Sequence, residues 1–113
     1  MLNLPDDFMT AFSCMANSVH HNAVAHGWWE SDRNDGEMIA LMHSELSEAL
    51  EYLRKGNHPS DHIPEFSGLE EELADVVIRV MDMSAARNLR LAEAIVAKME
   101  FNANRPYKHG KKF

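Results

Sequence analysis

Cysteine is nearly absent from this chain of 113 residues, and Cys14 is its single example. One cysteine cannot build an internal disulfide framework, so the sequence favours a reducing compartment and we expect a cytoplasmic location. Long apolar runs are missing too, and none approaches the roughly 18 residues of a membrane-spanning helix. The first residues, MLNLPDDF, carry no basic segment of a secretory signal. We therefore expect no membrane partner.

Positive charge is also in short supply, because 11 lysines and arginines stand against 18 acidic residues and the formal net charge is −7. This balance argues against general binding to nucleic acid. Strand signals are weak, since no segment alternates apolar and polar residues. The only β-branched cluster, at residues 76–78, continues a helical pattern. The length suits a single domain, residues 1–113, with one core.

Apolar residues recur instead at the three- and four-residue spacing of α-helices. Ser67, followed by Glu70 three residues later, has the pattern of a capping box. We predict an all-α four-helix bundle that ends in a basic tail, residues 105–113. The expected helices run from Leu4 to about Gly27, from a cap at Asn34 to about Arg54, from a cap at Ser67 to about Asn88, and from Leu91 to a stop at Pro106.

The apolar stripes predicted to be buried are broad and rich in methionine, of which the chain has eight. Such stripes at helical spacing are typical of cores and subunit interfaces. We therefore expect a homo-oligomer, a dimer or a tetramer, in which neighbouring chains cover further apolar faces. The stripes of the second, third and fourth helices include Met38, Met42, Leu46, Leu50, Leu53, Leu73, Val77 and Met99.

Two acidic pairs with i, i+3 spacing lie on the second and third predicted helices, Glu45 with Glu48 and Glu72 with Asp75. Three residues turn a helix by about 300°, so each pair directs both carboxylates from one face, where they repel each other. A solvated helix face explains one such pair. Two pairs on successive helices, beside apolar stripes, favour a bound divalent cation, and Mg²⁺ prefers carboxylate oxygens.

A basic strip follows on the fourth predicted helix, where Lys98, Asn102 and Arg105 share one face. Arginine offers a fork that matches phosphate oxygens and lysine offers a point charge, so the strip suits a phosphate clamp. Lys111 extends the strip into the tail. Cations near the end of a helix also complement the helix dipole, which is the structural alternative. The acidic pairs and the basic strip together suit a metal-bound polyphosphate.

The ordered motifs Glu-x-x-Glu, Glu-x-x-Asp and Lys-x-x-x-Asn-x-x-Arg resemble those of the MazG-like nucleoside triphosphate pyrophosphohydrolases. The resemblance extends from about residue 37 to the C-terminus, and the first helix is a looser match. It implies an oligomeric helical bundle that cleaves a nucleoside triphosphate to a monophosphate and pyrophosphate with Mg²⁺, which Mn²⁺ can replace. By position, it assigns metal binding to Glu45, Glu48, Glu72 and Asp75, phosphate binding to Lys98, Asn102 and Arg105, and a place near the sugar or base to Asp82.

Further expected roles concern the catalytic base and the nucleobase. Glu48 or Glu71 is the expected general base that orients the attacking water. Trp28 or Trp29 is expected to stack on the nucleobase, because a flat aromatic face suits any base. Asn22 is expected to read the edge of the base. The large tryptophan pair and this amide favour dGTP or GTP as the substrate.

Several assignments stay open at this point. Arg79 interrupts the acidic strip, and we expect it to pair with Asp75 or Asp82 or to contact a phosphate. A dUTPase-like enzyme or a hydrolase of guanosine polyphosphate alarmones on the same scaffold is an alternative within the same class. A non-catalytic, nucleotide-sensing oligomerisation module is the alternative from another class, and it would bind the metal–nucleotide complex without turnover.

Overall fold

The computed structural model describes residues 4–113, apart from the side chain of His109. Within them, the only β-pairing is an isolated antiparallel bridge between Pro59 and Ser67. The prediction of an all-α fold is therefore confirmed. The elements are α1 (Leu4–Ala25), α2 (Asp35–Arg54), α3 (Gly68–Ala86), α4 (Leu91–Ala103) and a short 3-10 helix in the basic tail (Tyr107–Gly110).

Local sequence signals set the ends of these helices. The Asn34 side chain accepts a hydrogen bond from the backbone N–H three residues on, at 3.1 Å, which caps α2. Ser67 and Glu70 form the complete capping box at the start of α3. α1 and α3 end two residues before the predicted positions, Gly27 and Asn88. These two residues adopt φ angles of 88° and 53°, and such left-handed backbone cannot continue a helix.

α3 is the central helix, because α1 and α2 both pack along it while α4 packs against α1. The buried residues of α3 include two carboxylates, Glu72 and Asp82, together with Gly68 and Ser84. Buried carboxylates need hydrogen-bond partners or a bound ion. The packing of α1 and α2 on α3 therefore buries polar groups between the helices.

The apolar core of the single chain is small. Among the described residues, the buried hydrophobic side chains are Ala16, Met38, Ala49 and Ala92. The prediction of continuous buried stripes is wrong for the single chain, because many of the stripe residues are not covered by another helix and stay exposed. The stripe residues that are 44–66% exposed are Leu46, Leu50, Leu53, Leu73, Val77 and Met99.

The exposed surface is correspondingly large. The chain exposes 8567 Å², whereas a compact monomer of 12.9 kDa exposes about 6,300 Å². Its radius of gyration is 16.6 Å, whereas a compact chain of this length has roughly 13 Å.

Across residues 4–113, no helix is both long enough and apolar enough to cross a membrane.

Candidate functional site

Three carboxylates from α2 and α3 meet where these helices pack together. One oxygen each of Glu45, Glu72 and Asp75 lies within 4.8 Å of the other two. Glu72 and Asp75 share one face of α3 through their i, i+3 spacing, and the packing of α2 brings Glu45 opposite them. We refer to these residues as the acidic triad. The structure thus gathers three of the four predicted metal ligands, and their hard oxygen donors suit Mg²⁺.

Glu72 is the most buried member of the acidic triad, with 6% of the residue exposed. Its Oε2 atom is buried, and no hydrogen-bond donor of the described residues reaches it. The pKa of Glu72 is raised to about 8, chiefly by burial and then by hydrogen bonding of the protonated carboxyl with Glu45 and Glu48 and by the charges of these two residues. A cation at this position would satisfy an oxygen that the protein leaves unpaired.

Arg79 lies against the acidic triad. Its Nε and Nη2 atoms both donate to the same oxygen of Glu45, Oε1, at 3.1 and 3.0 Å. Of the alternatives left open for Arg79, the structure favours neither the pair with Asp75 nor the pair with Asp82, because α2 packs closely enough on α3 for Glu45 to reach the guanidinium. The contact with a phosphate stays a prediction. Burial and the charges of Glu45 and Glu71 raise the pKa of Asp75, and the charge of Arg79 opposes that rise.

Glu48, the fourth predicted metal ligand, lies beside the acidic triad on the exposed surface of α2. It lines a cleft of about 320 Å³ together with Glu72. Its exposed position gives water access to the carboxylate, as a general base requires. We refer to this space as the smaller cleft. Its remaining lining residues are Glu51, Tyr52, Lys55, His58 and Asp61.

Tyr52 reaches the smaller cleft because a glycine begins α3. A Cβ atom on Gly68 would lie 1.9 Å from Cδ1 of the Tyr52 ring, so a larger residue there would displace the ring. His58 packs edge-on against the ring, with the centroids 5.0 Å apart. Partial burial and four nearby carboxylates raise the pKa of Tyr52. The phenol therefore keeps its proton at neutral pH and can donate a hydrogen bond.

Glu71, the other predicted catalytic base, anchors the loop between α2 and α3. Its Oε1 accepts a hydrogen bond from the Ser60 hydroxyl at 2.5 Å, and its Oε2 pairs with Nδ1 of His62 at 2.7 Å. Ser60 and His62 lower the pKa of Glu71 through these contacts. Because both oxygens of Glu71 are engaged in holding the loop, the geometry favours Glu48 for the role of base.

The acidic triad opens onto a cleft of about 490 Å³ lined by α1, α2, α3 and the loop after α1. Glu45 and Asp75 lie on its wall, and α1 and the loop contribute Asn22 and Trp28. We refer to this space as the main cleft. The structure therefore brings the predicted base-binding residues to the predicted metal site. The remaining lining residues are Val19, Ala23, His26, Arg33, Ile78, Arg79 and Asp82.

Asp82, predicted to lie near the sugar or base, is buried in the wall of the main cleft. Its carboxylate pairs with Nδ1 of His20 at 2.8 Å and accepts two bonds of 3.1 Å from the indole N–H of Trp29. Nη1 of Arg33 lies 3.6 Å away. These contacts join α1, the loop after it and α3, so Asp82 fixes the shape of the wall.

The two neighbouring tryptophans have different surroundings. The Trp29 ring makes an edge contact with His20, and the guanidinium carbons of Arg33 and Arg87 lie 5.3 and 5.6 Å from its centroid. Trp28 is 58% exposed and lines the main cleft. Trp28 is therefore the more accessible ring for a nucleobase, whereas Trp29 supports the wall.

The predicted phosphate clamp lies on a different surface of the chain. Lys98 and Asn102 line an apolar groove along α4, and Lys98 and Arg105 flank the ring of Phe101 at 4.6 and 5.5 Å. In the described part of the chain, this groove shares no lining residue with the main cleft. Lys111 is exposed in the tail. The basic strip and the acidic triad of one chain are therefore separate.

Several residues that support the site belong to no motif in the sequence. They are Ser60, Tyr52, Arg33 and Arg87. Arg87, directly after α3, donates to Asp32 and to the backbone carbonyl of Arg33 in the loop before α2. It also donates to Asp35, the first residue of α2. Periodicity within one helix carries no signal for such contacts, because they join separate elements. Only the local caps around this loop were visible as motifs.

Comparison with known proteins assigns no family to the chain. No protein-family model matches it, and neither the curated proteins nor the solved structures give a significant match.

Proposed function

We propose that the protein is a divalent-metal-dependent pyrophosphohydrolase of nucleoside triphosphates. The observation that carries the proposal is the acidic triad, in which no donor of the described residues reaches the buried Oε2 of Glu72. Glu45 and Asp75 of this triad line the cleft that also holds the accessible Trp28. Carboxylates suit Mg²⁺ and an aromatic ring suits a nucleobase, so the site offers partners for both parts of a metal-bound nucleotide. The motif resemblance to the MazG-like enzymes points to the same reaction.

Glu45, Glu72 and Asp75 would hold the cation, with Glu48 beside them. When bound, Mg²⁺ would neutralise phosphate charge, orient the triphosphate and activate a water molecule. In the metal-free protein the carboxylates repel one another, and Glu72 retains its proton near neutral pH. Metal binding therefore releases that proton and turns a cluster of like charges into a set of ligands.

Glu48 would act as the general base. It takes a proton from the water that attacks the phosphoanhydride, while the bond to the leaving pyrophosphate breaks and its electrons stay on the leaving oxygen. Glu48 is exposed beside the acidic triad, and its carboxylate is free of the loop contacts that occupy Glu71. No covalent intermediate is needed for this reaction.

The nucleoside would lie in the main cleft, where Trp28 stacks on the base and Asn22 contacts its edge. The fixed wall around Asp82 holds the loop that carries Trp28. A broad indole face and an amide suit a purine, so dGTP or GTP is the proposed preferred substrate.

The active form would be a homo-oligomer, with a dimer as the minimum. The single chain exposes about 2,300 Å² more than a compact monomer of its mass, which is the scale of surface that obligate oligomers bury. Leu46, Leu50 and Met99 are among the exposed apolar side chains available for this contact. A neighbouring chain would also bring its Lys98 and Arg105 to the acidic triad, where they would stabilise the leaving pyrophosphate.

A panel of the canonical ribonucleoside and deoxyribonucleoside triphosphates, each with Mg²⁺ and with EDTA, tests the proposed function. We expect equal amounts of monophosphate and pyrophosphate by chromatography, and no product with EDTA. Turnover confined to dUTP or to guanosine polyphosphates would favour the alternative hydrolases. Saturable nucleotide binding without any product would indicate the non-catalytic module and refute the proposal.

The nucleoside pocket has its own test in Trp28→Ala, with Tyr107→Ala as the matched control because Tyr107 is an exposed aromatic residue in the tail. Stacking of one base on an aromatic ring is worth about 1–3 kcal/mol, so Trp28→Ala should raise KM by about fivefold to more than a hundredfold. Tyr107→Ala should leave KM unchanged. Equal KM values for the two variants would remove Trp28 from the pocket.

A further inference from the structure

Arg79 places a positive charge inside the acidic site, and the reaction proposed above does not use it. Both of its hydrogen bonds, of 3.1 and 3.0 Å, go to Oε1 of Glu45, and the two side chains are 29% and 12% exposed. Arg79 follows Asp75 by four residues on α3, so it lies on the face that carries that carboxylate. The guanidinium therefore neutralises charge that a divalent ion would otherwise neutralise.

We propose that Arg79 is a built-in competitor for the metal site, a proposal that rests on the metal-dependent function above. Arg79 occupies Glu45 while the site is free of metal, and it moves to a phosphate oxygen of the substrate when a divalent ion binds. The reason is charge, because a guanidinium 3.0 Å from Glu45 and a divalent ion on the same cluster of oxygens repel each other strongly. The buried Oε2 of Glu72, which no donor of the described residues reaches, offers that ion a further oxygen.

The main cleft offers the released guanidinium its new partner. Arg79 lines this cleft together with Trp28, so a nucleotide stacked on Trp28 brings its phosphates into the same space. The planar fork of arginine matches two phosphate oxygens. The other arginine of the cleft, Arg33, is already placed between the carboxylate of Asp82 and the tryptophan rings. Arg79 is thus the arginine that metal binding makes available to the substrate.

Titration with Mn²⁺ alone, without nucleotide, tests the competition, with free Mn²⁺ followed by electron paramagnetic resonance and heat by calorimetry. Arg79→Gln should bind Mn²⁺ about tenfold more tightly than the wild type, because the competing cation is gone. Arg90→Gln is the matched control, since it removes the same charge from an exposed residue before α4, and it should bind Mn²⁺ as the wild type does.

Arg79→Lys keeps the charge without the two-bond fork, so it should bind Mn²⁺ with an affinity between those of the wild type and Arg79→Gln. If circular dichroism shows that Arg79→Gln is unfolded, the Mn²⁺ affinity of Arg79→Lys tests the competition in its place. Unchanged or weaker Mn²⁺ binding in the folded variants would overturn the proposal, because Arg79 would then merely position Glu45 for the ion.

Hydrolysis at saturating metal tests the second half of the proposal. Arg79→Gln should lose about tenfold or more in kcat/KM in spite of its tighter metal binding, because a charge-assisted contact to phosphate is gone. Normal kcat/KM would show that Arg79 does not reach the substrate. The Mn²⁺ titration contains no nucleotide, so it judges the competition even if the wild type hydrolyses no triphosphate and the proposed function fails.

Discussion

Replacement of Glu72 with glutamine should stabilise the metal-free protein and flatten the dependence of its stability on pH. The pKa of Glu72 is about 8 in the folded protein, against 4.5 for the free side chain. Between these values folding takes up a proton that the unfolded chain has released, so the free energy of unfolding falls as pH rises from about 4.5 to about 8 and then levels off. At pH 7, which is roughly 2.5 pH units above the pKa of Glu72 in the unfolded chain, this effect lowers the free energy of unfolding by about 3 kcal/mol.

Glutamine is a neutral isostere whose amide N–H groups can donate to the neighbouring Glu45 and Glu48 in place of the single O–H of the protonated Glu72 carboxyl. Urea denaturation of wild type and Glu72→Gln between pH 5 and pH 9 measures the difference, at one protein concentration because oligomer stability depends on it. Glu100→Gln, at an exposed position on α4, is the control and should keep the wild-type slope. A wild type whose stability is flat between pH 5 and pH 8, or a Glu72→Gln protein less stable than wild type at pH 7, would refute the reasoning.

The remaining predictions concern turnover, assembly and the basic strip. Glu48→Gln or Asp75→Asn should abolish pyrophosphate release while circular dichroism stays native, and normal activity in either variant would remove the proposed site. Light scattering at micromolar concentration should give at least a dimeric mass, whereas a monomer would contradict the exposed apolar faces as an interface. Arg105→Ala should lose about tenfold to more than a hundredfold in kcat/KM, the worth of a charge-assisted contact of about 1.5–3 kcal/mol, with partial recovery in Arg105→Lys. If Arg105 serves only the helix end, the variant would instead lose about 0.3–1 kcal/mol of stability and keep normal kinetics.

The sequence by itself determined the secondary structure of this protein. Helix periodicity and caps are local, because the residues that define them lie within one or two turns of each other. Asn34 and the Ser67–Glu70 capping box therefore start α2 and α3 as predicted. The same local rule identified both acidic pairs, since i, i+3 spacing alone puts their carboxylates on one helix face.

Burial and partner choice were decided by the tertiary structure alone. Periodicity marks an apolar face but not whether another helix covers it, so the stripe that contains Leu46 and Leu50 is exposed in the single chain. Arg79 has several carboxylates within reach in sequence, and only the packing of α2 on α3 selects Glu45. The raised pKa of Glu72 has the same origin, because desolvation depends on every element around a group and not on its own helix.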